Sequence, residues 1–121
     1  IIANGAMVYE AMEAAKELAK EGIEALVINL HTVKPLDVDA VCAAAEKTGC
    51  IVTAEEHQVH GGMGSAVAEV LSARCPVPIE MVAVKDTFGE SGQPQELMDK
   101  YGLNAAQIIA SVKTVMRRKK K

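Results

Sequence analysis

Ala25-Leu26-Val27-Ile28-Asn29-Leu30 is the stretch that decides the fold class. The run is nearly continuous in apolar residues and does not alternate with polar ones. A strand reads this way when helices cover both of its faces, as in a parallel sheet. The neighbouring segments supply those helices. Upstream, Met7/Val8, Ala11/Met12, Ala14/Ala15 and Leu18/Ala19 recur at helical spacing, while Glu13, Lys16, Glu17 and Lys20 form a wet face opposite. That pattern predicts a helix from about Ala6 to Glu21, ended by Gly22. Ile1–Ala3 reads as a short strand before it, with Asn4-Gly5 making the turn. Downstream, Asp37 can cap a helix over Val38–Thr48 that Gly49 closes.

Further along, Cys50–Ala54 reads as a third strand, and a glycine-rich loop leads into a helix from about Gly64 to Ala73. Ile79–Val84 is a fourth strand. Pro94 suits a first helical position and Gly102 closes that short helix. Asn104 starts the last helix: its side chain can cap the Gln107 amide, Gln107 can return the bond, and Leu103 and Ile108 occupy hydrophobic-staple positions. Ile108, Ile109, Val112, Val115 and Met116 are its expected buried face. Strand–helix alternation with short connections implies right-handed crossovers. The expectation is an α/β fold, a three-layer α/β/α sandwich with a largely parallel sheet of four to five strands, as a single domain over 1–121.

Composition narrows the function classes. Half of the 121 residues are apolar and 2% are aromatic, so the core is built from aliphatic residues and Met. Base-stacking surfaces need exposed aromatics beside basic residues, and a net charge of −3 gives no reason to expect a polyanion, so no nucleic-acid partner is expected. The basic run Arg117–Lys121 suits the negative end of a helix dipole. Cys42, Cys50 and Cys75 are odd in number and lack CxxC spacing, which reads as reduced structural thiols of a cytoplasmic protein. No apolar run approaches the ~20 residues of a membrane span, and no signal peptide is evident. Ile1-Ile2-Ala3 opens in mid-strand, so an upstream segment is expected to be missing.

Ligands of open α/β sheets gather beyond the carboxyl ends of the strands, where strand order reverses. The loops there begin at Asn4-Gly5, at Glu55 and at Lys85. The densest is Glu55-Glu56-His57-Gln58-Val59-His60-Gly61-Gly62-Met63-Gly64. Its carboxylates and imidazoles could serve acid/base chemistry or a metal, and its glycines could let backbone amides hold an anion or nucleotide. The favoured reading is a packing loop whose polar residues meet another surface. Phe88, flanked by charge and glycine, is either an exposed interface anchor or folded back on its own domain. There is no acidic pair after the first strand, no GxxxxGK[ST] loop and no GxSxG elbow, so no self-sufficient active site is legible.

Several segments resemble the transketolase C-terminal domain family. These are Ile1–Gly5, Val27–Asp37 with its His31-Thr32-Val33-Lys34-Pro35-Leu36-Asp37, Ile51–His57 followed by Gly61–Glu69, Val84–Pro94 with its Lys85-Asp86-Thr87-Phe88-Gly89-Glu90-Ser91-Gly92, and Lys100–Leu103. They span nearly the whole chain in the expected order and look closest to transketolases divided into N- and C-terminal sections. The resemblance implies a parent transferase of the pentose phosphate pathway. It moves two-carbon ketol units between sugar phosphates, using thiamine diphosphate and a divalent metal such as Mg. It also implies that the N-terminal and middle domains of a homodimer bind the cofactor. No catalytic, cofactor-binding or metal-ligating residue therefore carries over to this chain. Glu56, His57, His60, Gly61, Gly62 and Phe88 become candidates for inter-domain contact. Asn4 stands where the family usually has Thr or a similar residue, and the family's antiparallel edge strand would precede Ile1. Deoxyxylulose-phosphate synthases and β-type subunits of 2-oxo-acid dehydrogenases share the domain and remain alternatives, as does a regulatory small-anion or nucleotide site in the Glu55–Gly64 loop.

Overall fold

Main-chain pairing joins segments far apart in sequence into one parallel sheet. A computed structural model describes residues 1–30, 36–58, 62–84 and 104–119. Its elements are β1 (Ile2–Ala3), α1 (Met7–Lys20), β2 (Ile28–Asn29), α2 (Val38–Thr48), β3 (Ile51–Gln58), α3 (Met63–Arg74), β4 (Ile79–Val84) and α4 (Ala105–Arg118). Among the described residues the sheet has four strands in the order β2-β1-β3-β4. Every pairing is parallel.

Alternation along the strands feeds two cores. Ala3, Val52, Ala54 and Val82 face α1 and α4, packing with Met7, Ala11, Leu18, Ile108 and Val115. Ile2 and Ile51 face the opposite way, onto Val41, Ala44 and Ala45 of α2 and Val67 and Leu71 of α3. The three-layer sandwich follows directly from that two-residue period.

Local signals set most boundaries. The Asp37 carboxylate accepts from the Ala40 amide at 3.0 Å, and Gly49 ends α2 in the left-handed region at φ +79°. Asn104 accepts from the Gln107 amide at 2.9 Å, as its spacing predicts. Glu10 of α1 also accepts from the Ala105 amide, at 3.2 Å, so two side chains hold the start of α4. Lys113 pairs with Glu21 across the α1–α4 contact, and Arg118 reaches the Ile79 carbonyl and the Glu80 carboxylate of β4.

The structure corrects the sequence in three places. The strand expected over Ala25–Leu30 is only Ile28–Asn29, because β2 is an edge strand and β1 offers it just Ile2 and Ala3. Ala25–Val27 lie alongside the start of β1 rather than opposite a ladder, although the Ile1 amine still donates to the Leu26 carbonyl. Conversely, β3 runs through Gln58 rather than stopping at Ala54, since β4 pairs with it to Val84 across an irregularity between Ala54 and Gln58. Met12 and Met116, expected on buried stripes, are 54% and 41% exposed. Each sits one step round the helix from the buried set Met7, Ala11, Ala14, Leu18 or Ile108, Ser111, Val112, Val115. The helix expected from Pro94 to Gly102 and the staple residue Leu103 lie outside the described residues.

Candidate functional site

Strand order reverses at β1: the chain leaves it through α1 to β2 on one side, and returns through α2 to β3 on the other. The carboxyl ends of β1 and β3 are therefore the fold's switch point. The Asn4 amide there donates to the Ala54 carbonyl at 3.3 Å, and Gly5 turns the chain into α1 at φ +58°, a conformation that favours glycine.

One strand further, Glu55 departs from the sequence expectation. The sequence places it first in a polar loop, yet it lies on β3 and is wholly buried. The alternation that puts Ile51 on the α2/α3 side puts Thr53 and Glu55 there too, and the Glu55 carboxylate ends under the start of α3. The Met63 amide donates to its Oε1 at 2.7 Å, and the Gly64 amide donates to its Oε2. Helix α3 has Gly62 at its N-cap and no side-chain cap bond of its own. Two of the donors that every helix start leaves open are thus satisfied from the sheet, by a full negative charge at the positive end of the helix dipole. A buried carboxylate is costly unless such donors meet it.

Gly64 makes the approach possible. A Cβ at that position would lie 2.9 Å from Thr53 Oγ1, 3.0 Å from Glu55 Oε2 and 3.2 Å from Met81 Sδ. Thr53 beside it is fully buried, and its hydroxyl has no hydrogen-bond partner among the described residues. Gly64 acts here through close packing around an internal anion.

Of the candidate residues, Glu56 and Gly62 are placed beside this cap: Glu56 is exposed on β3, and Gly62 is half-buried with extended backbone. The backbone of His57 continues β3, while its side chain, together with His60, Gly61 and Phe88, lies outside the described residues. Glu55 itself was missed as a site residue. Its signal was present in the i, i+2, i+4 spacing from Ile51 and Thr53, but two adjacent glutamates read as the start of a loop.

The family model for the transketolase C-terminal domain matches residues 1–108. The chain belongs to that family. The 6-deoxy-6-sulfo-D-fructose transketolase subunit SqwH of Clostridium sp. (strain MSTE9) is 52% identical over 98% of the chain, which covers 37% of that relative. The 1-deoxy-D-xylulose-5-phosphate synthase 1 of Geobacter sulfurreducens (strain ATCC 51573 / DSM 12127 / PCA) is 43% identical over 96% of the chain and 18% of that protein. Among solved structures, a split gene transketolase described as an inactive beta4 tetramer superimposes with a TM-score of 0.95 at 49% identity. That match covers 98% of the chain and 39% of the solved one. The resemblance read from the sequence and the three-layer α/β fold both stand. The chain spans less than two fifths of the length of each of these relatives. No helix among the described residues is long and apolar enough to cross a membrane.

Proposed function

We propose that this chain is the assembly domain of a thiamine-diphosphate-dependent transketolase of the cytoplasm, transferring two-carbon ketol units between sugar phosphates. It packs on the N-terminal and middle domains and supports the dimer, and chemistry takes place on those other domains. The observation that carries this reading is the Glu55 cap. In related α/β folds the start of a helix at a switch point receives the ligand's phosphate; here the amides of Met63 and Gly64 already serve the chain's own carboxylate. An external anion would have to displace a buried charge. This also weighs against the anion- or nucleotide-binding alternative.

The residues described do not fit the cofactor. A diphosphate with its divalent metal needs free donors and a set of oxygen ligands. Among the described residues no group of three or more His, Cys, Asp and Glu side chains is placed to share a metal ion.

The contact face in this reading is the carboxyl end of β3 and the start of α3, with Glu56 and Gly62 and, from the sequence, His57, His60, Gly61 and Phe88. Glu56→Lys and Gly62→Val test it. Both variants keep wild-type circular dichroism and lose co-purification with the N-terminal and middle domains. Retention of wild-type assembly by both would remove this face from the account.

A further inference from the structure

Cys42 on α2 and Cys75 at the C-cap of α3 lie 33 positions apart, yet their sulfurs stand 2.8 Å from each other. A disulfide is about 2.04 Å long, so closing the bond needs an approach of about 0.8 Å (2.8 − 2.04). Both residues are half-buried, so a small oxidant reaches them without unfolding, and both are reduced here. The third thiol, Cys50, precedes β3 and lines a cavity that neither Cys42 nor Cys75 lines. Neither the transketolase assignment nor the proposed contact face uses this pair.

We infer that Cys42 and Cys75 form a redox-sensitive modification site, a dithiol that a hydroperoxide converts into a cross-link between α2 and α3. In the first step the Cys42 sulfur attacks the terminal peroxide oxygen. The O–O bond breaks, and the leaving oxygen takes up the Cys42 thiol proton and departs as water or alcohol, leaving a sulfenic acid on Cys42. In the second step the Cys75 sulfur attacks the Cys42 sulfur, the S–O bond breaks, and hydroxide leaves as water with the Cys75 proton. Two thiols are oxidised by two electrons and the peroxide is reduced by two. The order follows from Cys75, whose thiol is pushed up to about 11 by burial and by its hydrogen bond to Cys42. It keeps its proton and so acts second.

The cross-link would fasten two helices of the layer that packs on Ile2 and Ile51, at the end of α3 away from the Glu55 cap. The test is hydrogen peroxide titration of the full chain, alkylation under denaturing conditions, and non-reducing peptide mapping. The expected result is a dose-dependent Cys42–Cys75 linked peptide, reversed by dithiothreitol, with Cys50 recovered alkylated. The inference is overturned if Cys42 and Cys75 both remain alkylated, if each is oxidised separately to sulfinic acid, or if either pairs with Cys50 or with another chain. Because mapping uses the unmodified protein, no variant has to fold for the test to be decisive.

Discussion

Replacing Glu55 by Gln keeps the shape of the buried cap and removes its charge. In the native chain two amides, Met63 and Gly64, each donate to one carboxylate oxygen. Hydrogen bonds to a charged group contribute about 1.5–3 kcal/mol each, and a buried donor left unpaired costs about 1–3 kcal/mol. Gln has one acceptor oxygen, so one helix amide would face an NH2 group and lose its bond, and the other would keep a weaker, neutral one. The amide is easier to desolvate than a carboxylate, which returns part of the loss. The net expectation is a destabilisation of about 2–4 kcal/mol, or a fall in Tm of roughly 10 °C for a chain of this size. Urea unfolding followed by circular dichroism measures it, and hydrogen exchange should show faster opening at Met63 and Gly64. Glu56→Gln, one position on and exposed, is the control and should stay within about 0.5 kcal/mol of wild type. If Glu55→Gln also stays within that range with unchanged exchange, the carboxylate does not cap α3 and the reasoning fails.

The other consequences are smaller or of opposite sign. Gly64→Ala pushes a methyl group against Thr53 and Glu55 and should cost about 1–3 kcal/mol despite the better helix propensity of Ala, read as a lower urea midpoint. Thr53→Val removes a buried hydroxyl without a partner and should stabilise the chain by about 1 kcal/mol in the same assay. The Cys75 thiol ionises near its ordinary value of 9.0 when unfolded and at about 11 when folded. Between those values the unfolded chain has already lost a proton that the native chain keeps. The stability this provides is complete below pH 9 and is lost as pH rises towards 11, and chemical denaturation of wild type against Cys75→Ser across that window isolates it.

Much of the fold was legible because its signals are local. Asp37 and Gly49 bracket α2 at Val38–Thr48 to the residue, the apolar run at Ile79–Val84 is β4 as read, and Asn104 starts α4 with the capping bond its spacing implied. The strand lengths were not legible, since a strand ends where its partner does. β2 is short because β1 presents two residues, and β3 is long because β4 continues beside it. The place of Glu55 on β3 was hidden for a related reason. Adjacent charges mark a loop in the absence of partners, and Glu55 finds its partners in amides eight and nine positions later. No local pattern shows that a carboxylate will meet the start of the next helix.

The assembly role is tested most directly by a ketol-transfer assay on the N-terminal and middle domains, expressed apart from this chain, with and without the chain added in trans. Activity and dimer stability are expected to rise on addition, and the chain by itself to show no turnover. Full activity of the other domains without it would contradict the assembly role.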